Sequence, residues 1–225
     1  QFEVLVLPEV EVLSDAQVAT IRRWVEGGGT LIASYKCGLL DENLRMRSNF
    51  PLADVFGVDY VSEERTYAYD EEGRLRSSFG EAKDNTSTTY LESVGHPLAS
   101  MLASGPVGLP GSFLYLKKTT AQEVMRYRLP FMVQDLSHNQ WFNWGPPPPG
   151  EKTGGTAVAF NKFGKGQSLY LGVPIFWAMQ GQPNWIREWI PAVLQQLVPS
   201  PIAEIRPVPK SKYVHGTFFY DKSKR

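Results

Sequence analysis

The first part of the chain carries the clearest pattern of apolar and polar positions, and it predicts a strand–helix–strand unit. Val4–Leu7 is a short apolar run ending at a proline, as is typical of a strand buried on both faces of a parallel sheet. From Ser14 to Gly27, apolar residues recur at spacings of three and four, which predicts an amphipathic helix with Ser14 as its N-cap. Gly27 suits the left-handed position that follows a helix, and Thr30–Ser34 is a second apolar run. We therefore expect two parallel strands joined by a right-handed helical crossover.

The rest of the chain, after residue 34, is less regular. The predicted elements are a short helix at 51–56, strands at 58–61 and 113–117, a hairpin formed by 156–160 and 167–173, and a last helix at 185–197. The late hairpin is the clearest of these, because a glycine-containing turn separates its two apolar runs. We expect one domain over residues 1–200. Residues 201–225 are predicted to be a proline-punctuated linker followed by the start of a β-sandwich.

Composition and charge limit the classes of partner. The 23 basic and 23 acidic side chains cancel, so the chain lacks the positive surface expected for binding nucleic acid or an anionic membrane. No run of about 18 apolar residues is present, so the sequence predicts no bilayer-spanning segment. Its 225 residues are enough to bury a sizeable core without disulfides or metal ions.

The residues that usually bind metals are few and scattered. Cys37 is the only cysteine, which excludes an intrachain disulfide and a zinc knuckle. The three histidines are His96, His138 and His215, and none has a partner at metal-ligand spacing. We therefore expect neither a metal site nor a cofactor.

Several short segments, in order, resemble the β-galactosidase trimerisation domain. They are residues 2–8, 13–15, 25–31, 52–57 and 161–166, the last reading Asn-Lys-Phe-Gly-Lys-Gly. The resemblance extends over residues 2–200 and is densest at the two ends. It implies an α/β fold of the glutamine-amidotransferase-like, flavodoxin-like type, a three-layer α/β/α sandwich with a mostly parallel sheet, plus the late hairpin. The sequence begins after that family's usual first strand and helix, which leaves the completeness of the sheet open.

Cys37 is the one candidate nucleophile. It follows the second predicted strand on a sharp turn, where active amidotransferases hold their catalytic cysteine, and Lys36 beside it could lower the thiol pKa. A thiolate also needs a histidine base within hydrogen-bond reach. By the same resemblance, Phe176 stands where that histidine belongs and Ala178 where its carboxylate partner belongs. We therefore interpret Cys37 as a structural thiol.

The other polar candidates have simpler interpretations. The acidic pairs at 41–42, 63–64 and 70–72 are expected to be solvated turns, because glycoside cleavage needs two carboxylates placed across a sugar. Residues 164–168 resemble a phosphate-binding loop but lead into a strand, so they are predicted to form a hairpin turn. Residues 85–87 form a glycosylation sequon.

Trp141, Phe142 and Trp144 form an aromatic group just before four consecutive prolines. Aromatic faces stack on sugar rings and also anchor protein interfaces. Three alternatives stay open at this point: a loop that buries its own rings, a subunit or domain interface, and a sugar contact.

The sequence thus favours a non-catalytic interaction domain over an enzyme. The resemblance implies an oligomerisation domain of a multidomain glycoside hydrolase, similar to β-galactosidases or fucosidases, with a catalytic (β/α)₈ barrel and further copies of the chain as partners. The alternatives are a Cys37-dependent amidotransferase-like hydrolase and a carbohydrate-binding module.

Overall fold

The computed structural model describes residues 2–64, 88–110, 112–130, 148–179 and 184–198. Its helices are α1 (Asp15–Glu26), α2 (Ala53–Phe56), α3 (Ile175–Ala178) and α4 (Asn184–Leu197), with one 3₁₀ helix (Pro97–Leu102). Its strands are β1 (Val4–Leu7), β2 (Thr30–Ser34), β3 (Val58–Glu64), β4 (Thr88–Ser93), β5 (Val107–Pro110), β6 (Phe113–Lys118), β7 (Gln122–Pro130), β8 (Pro149–Phe163) and β9 (Gly166–Leu171). The predicted tail, 201–225, lies outside the described residues, so the proposed domain boundary stays a prediction.

The main sheet is mixed and mostly antiparallel, with seven strands in the order β1-β2-β9-β8-β7-β4-β5. Only β1–β2 and β2–β9 pair in parallel, and the other four pairings are antiparallel. The sheet also curls into a half-barrel, and strand content exceeds helix content. The expected amidotransferase-like, flavodoxin-like three-layer sandwich with a mostly parallel sheet is therefore wrong.

Part of the physical reason lies in the connection between β8 and β9. Parallel neighbours need a crossover of about a dozen residues or more, usually a helix, whereas a short turn can join only antiparallel strands. The turn that joins β8 to β9 comprises only residues 164 and 165, so these two strands must pair antiparallel. Register shifts between β7 and β8 bend these strands and obscure the period-two pattern in the sequence.

The two faces of the main sheet contribute to separate cores. In β2, Leu31 and Ala33 pack on one side with α1 and α2, while Ile32 points to the other side. That second core includes Trp189 of α4, whose indole N–H donates to the carbonyl oxygen of Leu98 over 2.7 Å. A two-stranded sheet, β3 with β6, contributes Val58 and Leu114 to the first core.

The predicted strand–helix–strand unit is confirmed. The Ser14 hydroxyl accepts from the backbone N–H of Gln17, and the Gln17 side chain accepts in return from the Ser14 N–H, which forms a capping box at the start of α1. One detail differs, because Gly27 keeps a helical conformation and Gly28 has the positive φ. The late hairpin and the last helix are also confirmed, as β8–β9 and α4.

The hairpin turn between β8 and β9 docks on the carboxyl end of α1. The Lys165 N–H donates to the Glu26 carbonyl oxygen over 2.9 Å, and the Gln167 N–H donates to that of Gly29 over 3.2 Å. A Cβ atom on Gly166 would overlap the carbonyl oxygens of Val25 and Gly29. The glycine therefore permits this close approach, which fixes the hairpin against the helix.

We predict that Gly166→Ala lowers the free energy of unfolding by about 2–4 kcal/mol, because the backbones of helix and hairpin must separate. Gly95→Ala is the control: its φ is positive, but nothing lies within 4 Å of the added Cβ. Backbone strain alone should cost about 1 kcal/mol there. Urea unfolding followed by circular dichroism measures the free energy of unfolding of both variants. An equal decrease in Gly166→Ala and Gly95→Ala would contradict the close-contact explanation.

Candidate functional site

The carboxyl ends of β1, β2 and β9 lie at one edge of the main sheet, and polar side chains gather there. In open α/β sheets, ligands bind outside the carboxyl ends of parallel strands. Ser34 is the last residue of β2, the segments after β1 and β2 supply Glu9, Tyr35 and Lys36, and β3 adds Glu63. We define these five residues as the carboxyl-edge cluster and treat it as the candidate site.

Glu9 joins the segments that follow all three parallel strands. Its backbone has φ 48°, in the left-handed region, and its N–H donates to the Ser34 hydroxyl over 3.1 Å. Its carboxylate oxygen Oε1 accepts from the Ser34 hydroxyl and from the Phe176 backbone N–H, each over 3.0 Å. The carboxylate therefore holds the cluster together through its own hydrogen bonds.

Tyr35 occupies the sharp turn after β2. Its φ is 54°, a conformation that costs a non-glycine residue about 1–2 kcal/mol. Its N–H donates to the Leu171 carbonyl oxygen over 2.7 Å, and its own carbonyl oxygen accepts from the Tyr170 hydroxyl. Its hydroxyl donates to Glu63, and burial together with this carboxylate raises the pKa of Tyr35. The phenol is therefore held protonated as a donor.

Cys37 lies two residues beyond that turn and is fully buried in the apolar core beneath it. Burial raises the pKa of the Cys37 thiol to about 12, so the thiol is protonated at neutral pH. Lys36, which could have lowered that pKa, instead places its Nζ 3.1 Å from Glu63 Oε1. The strained turn expected to present a nucleophile thus presents Tyr35.

The positions expected to replace an acid–base pair lie at the same edge. Phe176 and Ala178 belong to α3, where Phe176 contributes its backbone N–H to Glu9 and Ala178 is buried. In the part of the chain that the structure describes, His96 is the only histidine. Its Nδ1 accepts from the Leu98 N–H at the 3₁₀ helix. The centroid of its ring lies 5.8 Å from that of Phe160, which belongs to the core on the other face of the sheet from Cys37.

The other sequence candidates have structural partners or lie outside the described residues. Asp41 Oδ1 accepts from the N–H groups of Asn43 and Arg45 over 2.8 Å each, and these bonds lower the pKa of its carboxyl. Residues 164–168 face the carboxyl end of α1, where the helix dipole is negative, so they do not form an anion site. Among the described residues no three histidine, cysteine or carboxylate side chains converge as metal ligands, and none of the helices is long and apolar enough to cross a membrane.

Those outside the described residues are Trp141, Phe142, Trp144, His138, His215, the acidic residues 70–72 and the sequon 85–87. The three alternatives for the aromatic group therefore stay predictions.

Sequence reasoning missed Glu9, Ser34 and Tyr35. Their only sequence signal is their place at the ends of two predicted parallel strands. It also missed Trp177, which is 54% exposed on α3 beside the cluster.

Solved structures with a similar fold include parts of two larger proteins. The β-galactosidase from Rahnella sp. R3 aligns with a TM-score of 0.58 and 17% identity over 87% of this chain and 22% of its own. The α-L-fucosidase isoenzyme 2 from Paenibacillus thiaminolyticus aligns with a TM-score of 0.59 and 18% identity over 88% of this chain and 25% of its own. At this identity the likeness establishes the fold alone.

The family match is more specific: residues 1–104 match the family model of the β-galactosidase trimerisation domain. The β-galactosidase BgaB of Geobacillus sp. (strain Y412MC61) is 29% identical over 114 residues, which are 49% of this chain and 17% of that relative. The resemblance predicted from the sequence is confirmed for this matched segment. The chain spans about a sixth of the length of that curated relative.

We predict that Cys37 resists alkylation by iodoacetamide at pH 7.5 in the folded chain and reacts fully in 6 M guanidinium. Both its burial and its protonation oppose attack. Mass spectrometry of the intact chain measures the modification, with glutathione as the control thiol. Rapid labelling of the folded chain, at a rate near that of glutathione, would contradict a buried thiol.

The raised pKa of Cys37 also predicts a loss of stability at alkaline pH. Above pH 9 the unfolded chain releases the thiol proton while the folded chain retains it up to about pH 12. The unfolded state then binds fewer protons, so the free energy of unfolding falls by up to about 1.4 kcal/mol per pH unit for this group. Between pH 9 and 11, the free energy of unfolding of Cys37→Ala should fall less steeply with pH than that of the wild type. From pH 7 to 8 the two proteins should show the same slope. Equal slopes throughout would contradict the assignment.

Proposed function

We propose that this chain is a non-catalytic oligomerisation domain of a multidomain glycoside hydrolase that acts on β-galactosides. The observation that carries the proposal is the match of residues 1–104 to a domain described by its role in trimerisation. The relatives described above are named as β-galactosidases and a fucosidase, which supports a carbohydrate-processing parent with a catalytic (β/α)₈ barrel as the neighbouring domain.

The chemistry of the carboxyl-edge cluster supports a scaffold over a catalyst. Glu63 accepts from Tyr35 and lies beside Lys36, while Glu9 accepts from Ser34 and from a backbone N–H. Carboxylates held by internal donors serve to fix loops, because a general base needs its lone pairs directed at a substrate. The cluster therefore supports a rigid edge on the domain.

The alternative of a Cys37-dependent hydrolase has less support. Nucleophilic catalysis needs a thiolate beside a base, and Cys37 is a buried, protonated thiol among apolar side chains. The carbohydrate-binding alternative depends on Trp141 and Trp144, and titration with galacto-oligosaccharides while following tryptophan fluorescence tests it.

We predict that the purified chain self-associates, with a mass near three times 25.3 kDa in size-exclusion chromatography with light scattering. It should not hydrolyse o-nitrophenyl β-galactoside, and Cys37→Ala should have the same background rate. A monomer at every concentration up to 100 µM would contradict the oligomerisation proposal. Hydrolysis that disappears in Cys37→Ala would contradict the non-catalytic role.

A further inference from the structure

Exposed apolar side chains gather around two isolated backbone bridges in the matched segment. Val12 forms a parallel bridge with Leu40, and Leu40 forms an antiparallel bridge with Met46. Bridged residues direct their side chains to the same face. Val12 is 39% exposed and Met46 is 56% exposed, and Leu44 nearby is 69% exposed. We define Val12, Leu40, Leu44 and Met46 as the bridge patch.

The backbone fixes the bridge patch in its outward orientation. Leu13 and Leu39, the sequence neighbours of Val12 and Leu40, are buried in the core below. The Leu13 N–H donates to the Leu40 carbonyl oxygen over 3.1 Å, and the Leu40 N–H donates to that of Glu11 over 2.9 Å. Since adjacent residues alternate between the two faces, burying one set forces the other set outward.

Leu44 is the most unusual member of the bridge patch. Its φ is 61°, a conformation that favours glycine or asparagine, and its side chain is nevertheless large and exposed. The turn around it is tightly held, because Asp41 accepts from the N–H groups of Asn43 and Arg45 through Oδ1 and from Leu44 through its carbonyl oxygen. A leucine disfavoured both by backbone strain and by exposure points to a contact outside the chain.

The family match indicates which partner covers the bridge patch. Of the large apolar residues that are exposed in the described part of the chain, only Trp177 lies beyond residues 1–104, the segment that matches a trimerisation domain. Glu11, Glu42, Arg45 and Arg47 flank the bridge patch and carry both signs of charge. An apolar centre with a mixed-charge rim is the usual composition of a protein interface and suits another copy of a neutral chain.

We propose that the bridge patch is a contact surface between copies of this chain, with Leu44 as its anchor. The proposal rests on the oligomerisation role proposed above and names the surface that performs it. A three-fold ring uses a head-to-tail contact, so the bridge patch of one copy packs on a different surface of the next. Four side chains cannot supply the roughly 800 Å² per partner of a standard interface, so they form the energetic centre of a larger contact.

Leu44→Asn tests the proposal without disturbing the fold. Asparagine tolerates the left-handed backbone. At concentrations low enough that both proteins are monomeric, the melting temperature of Leu44→Asn should therefore not be lower than that of the wild type. We expect its dissociation constant for self-association, from sedimentation velocity over a dilution series, to rise at least tenfold. Met46→Ser should act in the same direction. Met101→Ser is the matched control, since Met101 is a 43% exposed methionine on the 3₁₀ helix, within the same matched segment. The dissociation constant of this control variant for self-association should differ less than twofold from that of the wild type.

Labelling gives an independent readout. A maleimide should react with Leu44→Cys more slowly in the oligomer than in diluted monomer, with little background from the buried Cys37. Self-association unchanged in both Leu44→Asn and Met46→Ser would overturn this surface while leaving the oligomerisation role standing. A wild-type chain that never self-associates would overturn both.

Discussion

The described fold depends on the position of β9 between two different kinds of pairing. On one side β9 runs parallel to β2, and on the other it runs antiparallel to β8. It therefore joins the strand–helix–strand unit to the antiparallel half of the sheet. The turn before β9 is held against α1 at Gly166, so register and helix docking are fixed together. Asn161 of β8 reinforces this junction by donating to the carbonyl oxygens of Asp54 and Val55 at α2.

The parts of the fold that the sequence predicts are those set by local patterns. The helix α1 could be read from its spacing and from Ser14, because capping and amphipathicity act within a few residues. The direction of pairing is different, since β9 meets β2 across more than 130 residues of chain. The mostly parallel sandwich came from family resemblance, and the sequence itself indicated antiparallel pairing only for the β8–β9 hairpin. Bulges between β7 and β8 shift the register and remove the alternation that would have marked long antiparallel strands.

The candidate site was only partly predictable. The sequence singled out Cys37, the one thiol, as a candidate by its chemistry, whereas the positive φ in the turn after β2 belongs to Tyr35, two residues earlier. Tyr35 is held in this turn by two tertiary hydrogen bonds, one from its N–H to the Leu171 carbonyl oxygen and one from the Tyr170 hydroxyl to its own carbonyl oxygen, and neither leaves a mark in the local sequence. The bond between Glu9 and the Phe176 backbone joins residues 167 positions apart, beyond the reach of any motif.

The turns at Lys165 and at Gly95 differ in how much space surrounds them, and this difference has a practical consequence for protein engineering. The turn at Lys165 is enclosed by the end of α1, so even a short peptide spliced there would push the helix away. Gly95 faces open space on its Cβ side, at a junction between β4 and the 3₁₀ helix. A peptide inserted at that loop would therefore meet less steric opposition from the fold than one inserted at Lys165.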